Sequence, residues 1–166
     1  MSTRFQRITP FLWFDHQAEE AAQFYVSIFP NSRILMTTRY TAASAAASGC
    51  AEGSVMTVDF ELDGQNITAL NGGPVFRFNE AVSLVVHCRS QEEIDQYWDA
   101  LLAGAADKNG QCGWLKDRFG LSWQVVPDEM MKLLTSGDAA SMARVHAALM
   151  GMKKLDLEEM RRAAAG

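Results

Sequence analysis

Cysteine is scarce in this chain of 166 residues. Cys50, Cys88 and Cys112 are an odd number with no paired spacing, so a disulfide framework is excluded. Nothing near the amino terminus resembles an export signal, and a reducing, cytoplasmic compartment is the expectation. Basic residues are also in deficit. Lys+Arg number 15 against Asp+Glu 20, and the resulting net charge of -5 repels phosphates, which argues against nucleic acid and anionic membrane as partners. Long apolar runs are missing too, and stretches such as Ala81 to Val86 are far too short to cross a bilayer. What remains is 48% hydrophobic and 21% charged, enough for one globular domain with a real core.

The first half reads as alternating strand and helix signals. Ile8 to Phe14 is rich in β-branched and aromatic residues, and Asp15 after it is positioned to cap a helix beginning near Gln17. From Ala18 to Phe29 the apolar residues Ala18, Ala21, Ala22, Tyr25, Ile28 and Phe29 recur at helical intervals, and Pro30 ends the run. Arg33 to Tyr40 predicts a second strand. The Ala-, Ser- and Gly-rich stretch from Thr41 to Gly53 lacks periodicity and predicts a mobile loop that could order as a lid on binding. Ser54 to Leu62 alternates strictly, and Asp63-Gly64 turns it into a fourth strand, Asn66 to Leu70.

The order then begins again. Ala81 to Cys88 is an apolar strand, Ser90 caps a helix from Gln91 to Ala103, and Glu93 supplies the reciprocal acid. Asn109-Gly110 marks a turn, Cys112 to Lys116 and Leu121 to Val126 read as strands, and a further strand near Ala105 to Lys108 is only weakly written. Asp128 is read as the cap of another helix, followed by Asp138 to Met150 and Asp156 to Ala165. The sequence therefore predicts an α+β fold of two βαβββ modules, about 6–75 and 80–127, with a helical tail over 128–166, all in a single domain 1–166. Two curved sheets of this kind leave a concave surface that a ligand can fill.

Four segments carry a family resemblance: Ile8-Thr9-Pro10-Phe11-Leu12-Trp13-Phe14, the run from Phe24 to Ser32, Ala69-Leu70-Asn71-Gly72-Gly73-Pro74, and Gln111 to Asp117 with Phe119 to Pro127. Over Ile8 to Met152 the chain resembles the glyoxalase/bleomycin-resistance, or vicinal oxygen chelate, superfamily and within it the PhnB-like proteins. That resemblance implies the fold, a homodimer, and the name 3-demethylubiquinone-9 3-methyltransferase, under which such proteins commonly go. The chain has no Gly-rich turn between a parallel strand and a helix for a nucleoside cofactor. Asn71-Gly72-Gly73 runs into Pro74 instead.

Members of the superfamily usually hold a divalent metal through His and Glu. The resemblance places the corresponding positions at Thr9, Ser83 and Gln124, two hydroxyls and a neutral amide, which cannot offset the dehydration of a cation. No metal and no cofactor are expected. His16, His87 and His146 do not obviously converge. Gln124 is the first candidate for a polar ligand contact, against a reading in which backbone satisfies its amide. Phe11, Trp13, Trp114 and Trp123 could wall an aromatic pocket or simply build core. Asn71 could reach a ligand beside two glycines that permit close approach, or could form a plain turn. Cys112 reads as an inert buried thiol, Asp117 and Arg118 as a solvated turn, and Glu80 as an acid or base at the cleft mouth or a surface carboxylate.

Three function classes follow. The first is a small-molecule binding protein or metal-independent enzyme. The second is an enzyme of the methyltransferase type that the family name implies, or a divalent-metal lyase, isomerase or dioxygenase. The third is a partner-binding module that uses its C-terminal helices. The residues alone name neither the ligand nor a reaction.

Overall fold

A computed structural model describes residues 5–135 and 137–166. The chain divides between Phe78 and Asn79 into two compact units.

The first unit runs β1 (Phe11–Phe14), α1 (Ala18–Ile28), β2 (Arg33–Arg39), α2 (Ala42–Ser48), β3 (Val55–Leu62) and β4 (Gln65–Asn71). Its sheet has the order β1-β4-β3-β2, with β1 and β4 parallel and the other pairs antiparallel. Alternation decides which face is buried. Leu12, Phe14, Val58, Phe60, Ile67 and Ala69 are buried, as are Ala18, Ala21, Ala22 and Tyr25 of α1. Tyr25 stacks on Phe60 with centroids 6.2 Å apart.

Two sequence expectations fail in this unit. The stretch Thr41 to Gly53 is not a loop throughout but contains α2. Thr41 and Ser44 form a capping box, and Gly49 closes the helix in the left-handed conformation at φ 75°. Alanine is the strongest helix former, so a short Ala-rich run needs only its caps and no amphipathic period. The second failure is Asp15, which does not cap α1. The helix has no side-chain cap from its own N-cap residue, Gln17, and the Ala18 N–H donates instead to Asn71 Oδ1 at 2.8 Å. The cap comes from the parallel neighbour strand, 53 residues away.

The second unit contains β5 (Leu84–Cys88), α3 (Gln91–Leu101), β6 (Trp114–Lys116) and β7 (Ser122–Pro127), followed by α4 (Met130–Thr135), α5 (Ala139–Gly151) and α6 (Leu157–Ala165). The sheet order is β5-β7-β6, with β5 parallel and β6 antiparallel to β7. The strand expected near Ala105 to Lys108 does not form. Gly104 at φ 77° turns the chain there, and Ala-Ala-Asp-Lys has little β propensity to resist it. The unit is thus βαββ rather than βαβββ, and the whole is an α+β fold of repeated units followed by helices.

Ser90 caps α3 through the Glu93 N–H, while the Glu93 carboxylate reaches back to the Arg89 N–H at 2.7 Å. The tail is part of this unit's core. Val126 of β7 is buried with Val145, Met152, Leu155 and Met160. Gln91 of α3 binds both sides of the tail, donating to Leu155 O at 3.1 Å and accepting from the Leu157 N–H at 2.8 Å. Lys154 pairs with Asp95 at 2.8 Å, and the Cys112 and Gly113 N–H groups donate to the Met152 and Lys153 carbonyls, each at 2.8 Å.

Asp117 is not in a solvated turn. It is 4% exposed, its Oδ1 accepts from the Phe119 and Leu121 N–H groups at 2.8 and 3.0 Å, and its Oδ2 accepts from Trp123 Nε1 at 2.8 Å. Arg118 beside it donates from Nε to Ala103 O at 2.8 Å.

Cys88 is fully buried, and burial pushes its thiol up to about 12, with the Glu93 charge adding to the shift. A folded-state pKa raised above the unfolded value stabilises the fold below the unfolded pKa and loses that contribution as pH rises through the folded one. Between the ordinary thiol range and about 12, stability is therefore expected to fall by up to about 1.4 kcal/mol per pH unit from this group. Urea unfolding of Cys88→Ala against wild type over that range tests this: the variant should show the shallower alkaline decline. Among the described residues no helix is long and apolar enough to cross a membrane.

Candidate functional site

Each sheet has one face packed by α1 or α3, and the strand registers show what the other face presents. In the second unit the C-terminal helices cover that other face at Val126 and leave Val85 exposed and Gln124 and Trp114 half-buried. In the first unit Phe11, Thr68, Asp59 and Met36 form one row across the strands, and Trp13, Leu70, Thr57 and Thr38 form the next. The polar members are partly tied to one another. Thr68 Oγ1 donates to Asp59 Oδ1 at 2.6 Å, and the Thr38 and Thr57 hydroxyls lie 2.6 Å apart. Phe11 is 60% exposed, and Trp13 is half-buried. Thr9 precedes β1, is exposed, and its hydroxyl accepts from the Gln6 amide at 3.4 Å.

Trp13 explains one of the glycines. Its Nε1 donates to Gly73 O at 2.9 Å, and its ring meets Phe76 edge-on with centroids 5.0 Å apart. A Cβ at Gly72 would lie 2.2–2.5 Å from three atoms of that ring. Gly72 therefore makes room for an indole of the same unit. Asn71 is likewise occupied by the fold: Oδ1 caps α1, Nδ2 donates to Val55 O at 3.1 Å, and its backbone carbonyl accepts from the Tyr40 hydroxyl at 2.5 Å.

In the second unit the open face carries the row Val85, Gln124, Trp114. Gln124 and Trp114 are half-buried, and Val85 is exposed. Ser83, just before β5, accepts from Gln124 Nε2 at 2.9 Å. Trp123 points the other way, is 3% exposed and is held by Asp117, so it belongs to the core. One residue passed over in the sequence shares the Gln124 face by strand alternation. Ser122 is 1% exposed, and its Oγ has no hydrogen-bond partner among the described residues. A buried hydroxyl left unpaired costs about 1–3 kcal/mol, which calls for a reason. No sequence signal distinguishes such a serine from a satisfied one. Its strand partner Lys116 forms an ion pair with Glu80, whose carboxyl that contact holds below the usual carboxylate range. A carboxylate kept ionised in this way is a poor general acid near neutral pH.

The donors at the three positions that the resemblance assigns to a metal do not fit a divalent cation. They are two hydroxyls and an amide, and two of the three, Ser83 and Gln124, are hydrogen-bonded to each other. Among the described residues no group of three His, Cys, Asp or Glu is placed to hold a metal. The histidines are separately engaged or exposed: His16 beside Asp15 at 3.4 Å, His87 on β5, and His146 with Nδ1 2.8 Å from Met142 O. Cys112 is half-buried rather than buried, with its sulfur 3.8 Å from that of Met150.

The 3-demethylubiquinone-9 3-methyltransferase family matches residues 6–126, which takes in both sheets. The chain belongs to that family. With it comes membership of the PhnB-like branch of the vicinal oxygen chelate superfamily, as the sequence resemblance implies. A Bacillus cereus PhnB protein, assigned by name to the same 3-demethylubiquinone-9 3-methyltransferase group, is 34% identical over 74% of this chain and 99% of its own, with a TM-score of 0.61. Two more distant solved structures share the fold. The genomically encoded fosfomycin resistance protein FosX of Listeria monocytogenes is 14% identical over 80% of this chain and 99% of its own, with a TM-score of 0.54. Protein PA1353 of Pseudomonas aeruginosa is 17% identical over 75% and 98%, with a TM-score of 0.53. No curated protein matches the chain. The family match stops at residue 126, so α4 to α6 lie beyond it.

Proposed function

We propose that this PhnB-like protein binds a small organic molecule on the sheet of its second unit without a metal, with Gln124 and Ser83 as the polar contacts and Trp114 as an aromatic wall. The observation that carries this reading is the neutral, mutually bonded pair Gln124 and Ser83, at positions that the resemblance assigns to cation ligands. Groups of this kind recognise carbonyl and hydroxyl functions. An amide offers both a donor and an acceptor, and a serine hydroxyl offers both in one atom. Thr9, Phe11 and Trp13, on the first unit's own sheet, are proposed as a separate surface for apolar groups.

Whether a bond is made or broken is a separate matter. Gln124 and Ser83 include no base, and a hydroxyl bonded to a carboxylate, Thr68 to Asp59, lies on the first unit's sheet, which favours binding or a reaction driven by positioning at Gln124. The methyltransferase activity in the family name has less to support it. It requires a nucleoside-binding turn, and Gly72-Gly73 is engaged by Trp13. We further propose that two chains pair, as the resemblance implies, and that the protein works in the cytoplasm.

The test is native mass spectrometry of protein purified in the presence of a chelator. A retained metabolite is expected in wild type, and Gln124→Ala should lose it while keeping its circular dichroism. Retention that disappears on chelation, or survives Gln124→Ala unchanged, would remove this reading. Calorimetry with S-adenosylmethionine decides the alternative, with no heat expected.

A further inference from the structure

The first unit contains a second concavity, away from its open sheet face. It lies where β1 and β4 end side by side and α1 begins, and it encloses about 490 Å³. Volumes of this order hold small organic ligands. Its inner wall is Tyr40, Cys50, Val55 and Asn71, and its rim carries Asp15, His16 and Glu19.

The wall is held by bonds that bridge distant segments. Asn71 ties α1 to β3, Tyr40 donates to the Asn71 carbonyl, and the Gly73 N–H donates to Asp15 O at 3.1 Å. The pocket is thus preformed. The loop that follows α2 supplies Gly49, Cys50 and Ala51, so the Ala-rich segment forms one side of it.

Charge selects the ligand class. Asp15 and Glu19 are carboxylates, His16 between them lies 3.4 Å from Asp15 Oδ2, and no Lys or Arg lines the space. Arg39 lies in the strand leading to Tyr40, but its Nη1 donates to Gly53 O at 3.0 Å. The N-terminus of α1 contributes a partial positive charge of about half a unit, and the Asn71 oxygen already caps its Ala18 N–H. Two full negative charges outweigh that. No group of three His, Cys, Asp or Glu among the described residues is set to hold a metal, which leaves an organic cation.

We propose that this pocket binds a small aliphatic ammonium compound, with its charge at Asp15 and Glu19 and its carbon chain against Tyr40 and Val55. Cys50, half-buried in the wall, then reports occupancy. In the intact chain, 1,4-diaminobutane should slow alkylation of Cys50 by iodoacetamide several-fold, read peptide by peptide by mass spectrometry. Cys112, half-buried in the other unit, should react at an unchanged rate.

Butanedioate of the same length, the uncharged butane-1,4-diol and sodium chloride at equal ionic strength should give Cys50 no protection. Glu19→Gln should weaken the protection by the diamine, and the double change Asp15→Asn with Glu19→Gln should abolish it. Both positions are exposed, so these variants are expected to keep the wild-type circular dichroism. Absence of diamine protection, equal protection by the diol or the dianion, or equal slowing at Cys112 would each overturn the proposal. None of these outcomes bears on Gln124, so the open-face reading is tested separately.

Discussion

Asp117→Ala is expected to lower the stability of the second unit by about 3–4 kcal/mol, a shift of roughly 10 °C in Tm for a chain of this size. The carboxylate accepts from two backbone N–H groups and from the Trp123 indole. All of this occurs where the aspartate is 4% and the tryptophan 3% exposed. Removing it strands three donors, each costing about 1–3 kcal/mol when buried without a partner, less what water entry recovers. Asp117→Asn separates the contributions. One amide oxygen can still serve the Phe119 and Leu121 N–H groups, but the NH2 group then faces the Trp123 N–H, donor to donor, so about half of the loss should remain. Thermal and urea unfolding of both variants checks the order. Equal stability of Asp117→Ala and wild type would show that the network is not holding the β6–β7 turn.

The next largest effect is expected at Gly72. Its substitution by Ala places a methyl group 2.2–2.5 Å from three atoms of the Trp13 ring, and that ring cannot retreat without losing its 2.9 Å bond to Gly73 O and its edge contact with Phe76. Overpacking of this kind costs about 1–3 kcal/mol, and the lost hydrogen bond adds about 1 kcal/mol. A double-mutant cycle isolates the cause. In a Trp13→Ala background, Gly72→Ala should cost only a few tenths of a kcal/mol, because nothing is left to strike. A cost that persists without the indole would place the requirement in the backbone instead.

Both residues lay in segments whose turns the sequence displays, yet their roles were not legible there. Local signals read well. The expected cap of α3, Ser90, accepts from the N–H three residues on, because a cap and its helix are neighbours in the chain. The helices expected from Asp138 and Asp156 begin one residue later, with those aspartates as their caps, whereas α4 begins at Met130, two residues past Asp128. The alternation over Ser54 to Leu62 is matched in β3 by buried Val58, Phe60 and Leu62 against half-buried Thr57, Asp59 and Glu61, because a strand's period is fixed by its own geometry.

What failed was whatever depends on partners distant in sequence. Asp15 sits where a cap belongs, but Asn71 arrives from 53 residues away and takes the role. Gln124 and Ser83 are 41 residues apart and bond only because β5 and β7 are parallel neighbours. Asp117 read as a surface turn because its tryptophan partner lies on the following strand, facing inward. The α2 helix was missed for another reason. Its residues are helix formers without an amphipathic period, and periodicity is the signal by which short helices are usually found.

The central proposal is that Ser83 and Gln124, which the resemblance places at cation-ligand positions, form a neutral, mutually bonded pair suited to an organic ligand. Isothermal calorimetry of chelator-stripped protein with Zn²⁺, Mn²⁺ and Ni²⁺ tests it most directly. The account predicts no stoichiometric binding that depends on Ser83 or Gln124. One equivalent of metal per chain, lost in Gln124→Ala, would contradict it.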